Sequence, residues 1–237
     1  MNVKTTPLTR RDFTRLSLLG LGAAAWPNLM PARLLGANAP SNRIRVGQIG
    51  CGRIARGHDM PAVLHSGLAD YVAVCDLDAR RAADGRKLVE EYYREEKLAA
   101  PKVGVFGDFR EMLARPDIDA IVISTPDHWH AEPALAAIRA GKDVYLQKPM
   151  TMTQAESVLL RDAIVKSGRI FQLGSQQRSS VQFRRACELV RSGRVGRLQR
   201  VEIGLPIDPT AADELPQPVP ATLDYDRWLG PTAQLPY

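Results

Sequence analysis

The stretch that decides the fold reads Ile44-Arg45-Val46-Gly47-Gln48-Ile49-Gly50-Cys51-Gly52-Arg53-Ile54-Ala55. A short strand-like run leads into a G-x-G-x-x-A loop, and a helical pattern follows it. The first glycine of such a loop permits a tight turn, and the second lets the backbone approach a pyrophosphate. Small Ala55 allows the helix to pack closely on the strand, and the helix N-terminus offers N–H donors to an anion. Taken alone, the loop is equally compatible with a simple glycine-rich turn.

An acidic residue follows the next predicted strand. Asp76 comes directly after Tyr71–Cys75 and lies 26 residues after Gly50, close to the spacing of about 20 residues typical of dinucleotide sites. A carboxylate here accepts hydrogen bonds from the adenosine ribose and repels a 2′-phosphate. Asp76 could instead be a turn residue or a helix cap. Together with the glycine loop it predicts a site for NAD, with NAD favoured over NADP.

Strand and helix patterns alternate strictly up to Gly174. This order predicts an α/β fold of the Rossmann type, with a doubly wound parallel sheet ordered 3-2-1-4-5-6 and helices on both faces. The predicted helices include Ala79–Lys97, Ala131–Ala140 and Gln154–Lys166. The predicted strands are Ile44–Ile49, Tyr71–Cys75, Val103–Phe106, Ala120–Ser124, Asp143–Leu146 and Ile170–Leu173.

The rhythm changes after Gly174. Ser180–Ser192 is typical of a helix, Leu198–Leu205 is predicted as a strand, and a proline-rich stretch follows. The sequence therefore predicts a Rossmann domain over 43–174. Over 175–237 it predicts the start of an incomplete α+β domain with an open antiparallel sheet, for substrate binding and oligomerisation.

The first 39 residues have the proportions of an export signal. Arg10-Arg11 precede an eleven-residue apolar run, Leu16–Trp26, which is too short to span a bilayer as a helix. The arginine pair resembles the twin-arginine motif, whose machinery exports folded proteins. We expect a periplasmic or extracellular protein. Ala37-Asn38-Ala39 resembles a cleavage site, although Pro40 follows it, and an uncleaved membrane anchor stays open.

Charge and cysteine content narrow the function classes. The formal net charge is +6, but residues 1–39 hold five basic residues against one acidic residue. The remaining chain lacks the strong basic stripe of a nucleic-acid binder, so we expect no nucleic-acid partner. Three cysteines, Cys51, Cys75 and Cys187, cannot all pair within one chain, which argues against a disulfide framework.

Two further strand ends bring polar side chains to the same edge of the predicted sheet. Thr125–His130 follows the fourth strand, and Gln147-Lys148-Pro149 follows the fifth. In this strand order the first, fourth and fifth strands are neighbours, and ligands bind beyond their carboxyl ends. His128 and His130, without clustered cysteines or carboxylates, make a poor zinc ligand set, so no metal site is predicted.

These pieces together resemble a known family. G-C-G-R-I-A, S-T-P-D-H-W-H and Q-K-P, in this order over about residues 43–205, are similar to the glucose–fructose oxidoreductase/inositol dehydrogenase (Gfo/Idh/MocA) family. The family motif is usually E-K-P, with its lysine between nicotinamide and substrate, so Gln147 departs from the pattern while Lys148 and Pro149 match it. The family also has a D-x-G-x-H-type segment in its second domain. All four histidines here precede residue 131, so we expect an incomplete, inactive chain.

The motifs and the resemblance together imply an NAD-dependent oxidoreductase that transfers hydride between nicotinamide and a sugar or polyol hydroxyl carbon. The full-length protein is expected to be a homo-oligomer. Two alternatives remain: an NAD-dependent glycosidase of related fold that oxidises its sugar transiently, and a non-catalytic NAD-binding protein. The residues implied are Lys148 and His130 as catalytic groups; Gly50, Gly52, Arg53, Ile54, Asp76, Thr125, Pro126, His130, Gln147 and Lys148 at the cofactor; and Lys148, Gln176, Arg178 and Trp129 at the substrate.

Overall fold

A computed structural model describes residues 42–205 and 215–237. Six parallel strands form one sheet in the order β3-β2-β1-β4-β5-β6, which confirms the predicted doubly wound sheet. The strands are β1 (Ile44–Ile49), β2 (Ala69–Cys75), β3 (Gly104–Phe106), β4 (Ala120–Ile123), β5 (Asp143–Leu146) and β6 (Phe171–Leu173). The helices are α1 (Met60–His65), α2 (Ala79–Glu95), α3 (Phe109–Leu113), α4 (Ala131–Arg139), α5 (Gln154–Ser167), α6 (Val181–Arg191) and α7 (Tyr225–Leu229).

The sheet is buried on both faces. Because successive side chains of a strand point to opposite faces, one apolar strand contributes to two hydrophobic clusters. In β4, Ile121 and Ile123 belong to one hydrophobic cluster with Met112, while Val122 belongs to a second cluster with Tyr71. This continuous apolar run is typical of a parallel strand covered by helices on both sides. The switch point lies between β1 and β4, since the chain crosses from β3 on one side to β4 on the other.

Local signals set the helix boundaries. Thr153 accepts a hydrogen bond from the backbone N–H of Glu156, and the Glu156 side chain accepts from Thr153, which completes the predicted capping box of α5. Asp78 and Asp108 cap α2 and α3 by accepting backbone hydrogen bonds from Arg80 and Arg110. These caps set the direction in which each helix leaves its strand.

The predicted strand Leu198–Leu205 is wrong. These residues form no ladder with any strand of the described chain, and their apolar side chains are exposed, Ile203 by 82% and Leu205 by 84%. A strand needs a hydrogen-bonding partner along its length, and apolar alternation alone does not provide one. The preceding helix prediction is confirmed as α6.

The last described segment, residues 215–237, packs against the carboxyl end of β2. Leu223 bridges to Asp78, the N–H of Ala79 donates to Thr222 O at 2.8 Å, and the N–H of Asp224 donates to Leu77 O at 3.1 Å. Burial alone would raise the pKa of Asp78, but hydrogen bonds from Thr222 and from backbone N–H groups outweigh it and lower this pKa. The sequence had not predicted this return of the chain.

No described helix combines the length and apolar character needed to cross a bilayer. The predicted export signal, Arg10-Arg11 included, lies outside the described residues.

Candidate functional site

The glycine loop joins β1 to the helical segment before α1 through a turn that only glycine fits. Gly50 has φ +81°, and a Cβ there would lie 2.8 Å from the carbonyl carbon and oxygen of Ser124. Its N–H donates to Cys75 O at 2.8 Å. The first glycine therefore holds the ends of β1, β2 and β4 together, as the motif predicts.

The rest of the loop leaves room for a ligand on one side and packs tightly on the other. A Cβ on Gly52 would meet only the Arg81 Nη1 atom, at 3.9 Å, so the backbone stays open to close approach. Cys51 and Ala55 are fully buried, and a Cβ on Gly85 of α2 would lie 2.8 Å from Cys51 Sγ. The loop is thus pressed onto α2 and open toward the cleft, which fits a bound pyrophosphate.

Asp76 lies directly beside this loop. Its Oδ2 accepts from the Cys51 N–H at 2.7 Å and its Oδ1 accepts from the Asp78 N–H at 2.9 Å. Burial raises the pKa of Asp76, against the opposing effect of these two backbone hydrogen bonds. Each carboxylate oxygen accepts more than one hydrogen bond, so the side chain can hold the loop and still receive ribose hydroxyls.

A cavity of about 350 Å³ opens over the loop. A volume of this size lies within the range of small-molecule sites. Of the predicted site residues, Gly50, Gly52, Asp76, Thr125, Pro126 and Trp129 line it. The cavity therefore gathers the carboxyl ends of β1, β2 and β4. The predicted site residues His130, Gln147 and Lys148 do not line it.

The cavity wall also contains Arg81, which the sequence reasoning had not selected. Arg81 lines the cavity and lies 3.6 Å from the Asp78 carboxylate. An arginine near the adenosine ribose is the group that accommodates a 2′-phosphate in NADP enzymes. At the same end of the cleft, Asp76 thus favours NAD and Arg81 favours NADP.

Helix α7 covers the cavity on the side of Asp76. The carbonyl oxygen of Trp228 lies 2.9 Å from the Nε1–H of Trp129, which donates to it, and 2.8 Å from the ring Nε2 of His128. Gly230 packs on Trp129, since a Cβ there would lie 2.7 Å from the indole. The Arg227–Asp108 ion pair, at 3.4 Å, ties α7 to the start of α3.

Trp129 and His128 both contact α7. Trp129 also stands edge-on to Phe109 at 6.2 Å between ring centroids, and both of these rings line the cavity together with Asp76. The predicted contact of Trp129 with a substrate stays a prediction, and His128 helps to hold α7. The Asp224 cap and Gly230 are local sequence signals for α7. They do not indicate where this helix packs on the rest of the chain.

The end of β5 carries Gln147 and Lys148. Gln147 is buried, and Lys148 is exposed. The backbone N–H of Gln147 donates to Ile123 O at 3.0 Å, and its side-chain Oε1 accepts from the Lys148 N–H at 3.1 Å. Lys148 thus stands at the carboxyl edge of the sheet, on the strand next to β4.

His130 lies beneath this edge and is fully buried. Its Nδ1 is 2.5 Å from Pro149 O and its Nε2 is 3.0 Å from Thr125 O. Both ring nitrogens therefore contact backbone carbonyls. This placement favours a role in joining the β4 and β5 turns over the predicted direct contact with cofactor or substrate.

The remaining predicted site residues lie outside the cavity wall. Arg53 is exposed and Ile54 is partly buried at the start of the helical segment after the loop. Gln176 and Arg178 are exposed on a short 3₁₀ turn, Gln176–Ser179, after β6. Their contacts with a substrate stay predictions. Among the described residues, no group of three or more potential metal ligands comes together.

Asp59 was missed by the sequence reasoning. It is buried and contacts both Ser124 and Gln147. No motif singles it out, because its partners follow it by 65 and 88 residues along the chain.

A family model described as "Oxidoreductase family, NAD-binding Rossmann fold", GFO_IDH_MocA, matches residues 44–175. The chain belongs to this family. It contains the family's NAD-binding Rossmann fold, in agreement with the resemblance noted in the sequence.

Individual relatives are consistent with this assignment. An inositol 2-dehydrogenase of Acidothermus cellulolyticus is 29% identical over 199 residues, which cover 81% of this chain and 54% of the relative. A 3-ketoreductase of Actinomadura kijaniata, solved with NADP and TDP-benzene, is 28% identical with a TM-score of 0.55, over 64% of this chain and 43% of that one.

A scyllo-inositol dehydrogenase of Lactobacillus casei, solved with NAD(H) and scyllo-inositol, is 26% identical with a TM-score of 0.53, over 65% of this chain and 42% of that one. The present chain therefore spans about half the length of the relatives it matches.

Proposed function

We propose that the protein is an NAD-dependent dehydrogenase that acts on a hydroxyl carbon of a sugar or polyol. The observation that carries the proposal is the position of Lys148. It follows β5 at the carboxyl edge of the sheet, next to the switch point where family cofactors bind. The inositol dehydrogenase activity named for two relatives supports a polyhydroxylated substrate.

The residues of the chain divide the work of the reaction. The open glycine loop would hold the pyrophosphate of the cofactor, and Asp76 would receive the ribose hydroxyls. A bound nicotinamide supplies the hydride acceptor or donor. The Lys148 ammonium or amine holds the substrate hydroxyl by a hydrogen bond and exchanges its proton as the carbon changes oxidation state. Gln176 and Arg178, exposed on the turn after β6, would contact the polar groups of the substrate.

The test replaces Lys148 with alanine in the full-length protein and follows NADH formation across a panel of inositols, hexoses and linear polyols. We expect turnover to fall about 10²–10⁴-fold, the usual contribution of a positioned acid–base group, with little change in NAD affinity. Lys166→Ala, at an exposed position on α5, is the matched control. Normal turnover in Lys148→Ala would make the lysine structural, and sugar hydrolysis without net NADH would indicate a glycosidase.

We further propose that the protein is exported in folded form by the twin-arginine machinery and acts outside the cytoplasm as a homo-oligomer. The Arg10-Arg11 pair and the apolar run after it support export. The exposed apolar side chains of residues 198–205 support association, because exposed apolar patches of this kind mark protein contacts.

A further inference from the structure

A buried polar chain connects the carboxyl ends of β4 and β5 and reaches the residue before Lys148. It begins at Asp59, the last residue of a π-helical turn, Ala55–Asp59, in which the N–H of Met60 donates to Ala55 O. Turns of this type are rare and occur frequently at functional sites. Here the turn places a carboxylate among buried residues, directly after the glycine loop.

The Asp59 carboxylate bridges two neighbouring strand ends. Its Oδ2 accepts from Ser124 Oγ at 2.6 Å, at the end of β4, and its Oδ1 accepts from Gln147 Nε2 at 2.9 Å, after β5. Ser124 Oγ also accepts from Gln48 Nε2 at 3.1 Å, and the same amide donates to Gly50 O at 2.9 Å. One network thus connects the glycine loop to the residue before Lys148.

The side-chain amide of Gln147 is oriented by its neighbour Asp59, because a carboxylate can only accept hydrogen bonds. Because ionised Asp59 can only accept hydrogen bonds, the amide nitrogen of Gln147 must face it. The amide oxygen then faces the other way and accepts from the Lys148 N–H at 3.1 Å. A glutamate at position 147 would place two carboxylates within hydrogen-bond distance, which is unfavourable in a buried site. Asp59 therefore explains why the motif reads Q-K-P here.

Two tyrosines are affected by the negative charge of Asp59. Burial, followed by the negative charge of Asp59, raises the pKa of both Tyr71 and Tyr145 above its ordinary value. Both phenols therefore remain protonated at neutral pH. In the Asp59–Gln147 pair, the carboxylate accepts the hydrogen bond and the amide nitrogen donates it.

We propose that Asp59 is a positioning residue for the nicotinamide half of the cleft, which it aligns by fixing the side-chain amide of Gln147 and thereby the backbone at Lys148. The inference rests on the proposed function, since it assumes that the nicotinamide lies at the ends of β4 and β5. It adds a residue that touches neither cofactor nor substrate.

The test is a double-mutant cycle of Asp59→Asn and Gln147→Glu in the full-length protein. The amide introduced at position 59 can donate to the carboxylate introduced at position 147, so the double variant exchanges the two partners and keeps their hydrogen bond. We expect Gln147→Glu alone to raise the NADH dissociation constant about tenfold, within the range of coupling between contacting residues. In the Asp59→Asn background, Gln147→Glu should raise the NADH dissociation constant by less than about threefold. Gln182→Glu, on exposed α6, is the control for the chemical change itself.

ADP-ribose, which lacks the nicotinamide, separates positioning from general structural damage. Its affinity should stay within about twofold in every variant, whereas a collapse of the whole cleft would weaken both ligands together. If Gln147→Glu does not fold, Gln147→Met takes its place. Methionine removes both side-chain hydrogen bonds without adding charge, and the same selective loss of NADH is expected.

The outcomes distinguish the two proposals. Equal NADH affinity in all variants, or a parallel loss of ADP-ribose, overturns the positioning role while the proposed function stands. No NADH binding by the unmodified protein overturns the proposed function and the positioning role with it. The urea midpoint of the four proteins reports the Asp59–Gln147 contact independently of any ligand.

Discussion

At the scale of single residues, we expect the preference between NAD and NADP to depend on two side chains of opposite charge, Asp76 and Arg81. Asp76 holds the glycine loop through Cys51 and lines the same cavity as Arg81. Removing the carboxylate removes the repulsion of a 2′-phosphate and leaves the guanidinium in place. We expect Asp76→Ala to narrow the preference for NAD over NADP by about tenfold, as measured by titration with both reduced cofactors.

The double variant Asp76→Ala/Arg81→Ala separates the two effects. It should not show the gain in NADP affinity that is expected for Asp76→Ala alone, because the Arg81 guanidinium that would bind the 2′-phosphate is absent. Asp162→Ala, an exposed carboxylate on α5, should leave the preference unchanged. A preference that does not respond to Asp76→Ala would place ribose recognition elsewhere.

The cysteines give a second prediction at this scale. Burial raises the pKa of the Cys75 thiol to about 12 and also raises that of Cys51, so neither carries a reactive thiolate at neutral pH. Cys187 is exposed. A maleimide reagent at pH 7 should modify Cys187 alone in the folded protein and all three cysteines in denaturant, as counted by mass spectrometry. Rapid modification of Cys51 in the folded protein would contradict the tight packing of the loop.

At the scale of elements, α7 forms part of the cavity wall, and we expect it to limit access to the cavity. Trp228 lines the cavity, stands edge-on to His128 with 5.2 Å between ring centroids, and stacks on Tyr225. We expect Trp228→Ala to open this wall and to raise the NADH dissociation rate about tenfold, because changes in affinity mostly appear in that rate. Stopped-flow fluorescence measures it.

The control for this prediction is Leu235→Ala, an exposed position on the same segment. It should leave the dissociation rate unchanged. If Trp228→Ala also leaves it unchanged, the cofactor leaves by another route and α7 is only a structural cover.

Elements also show what the sequence could and could not reveal. The six strands and the glycine loop were predictable because they depend on local apolar runs and on a turn that needs glycine at position 50. The Asp59–Gln147 contact and the docking of α7 depend on residues far apart in sequence, which no local pattern reveals. The strand predicted at Leu198–Leu205 failed for the related reason that strand formation depends on a distant partner.

At the scale of the whole molecule, the proposed export route makes folding precede transport. Changing Arg10 and Arg11 together to lysine should leave the protein in the cytoplasm, with its NADH affinity intact. Cell fractionation followed by immunoblotting measures this. Unchanged export of that variant would refute the twin-arginine interpretation.

The return of α7 to the cleft also has a consequence for the timing of synthesis. His128 and the Trp228 carbonyl it contacts are 100 residues apart in the chain. At roughly 5–20 residues per second, the ribosome needs about 5–20 s to pass from one to the other. All six strands have been made once Leu173 is added, so in the later part of this interval the sheet can form without the wall that α7 provides. We expect a dinucleotide to enter the cleft more easily at that stage than after Trp228 has packed on it.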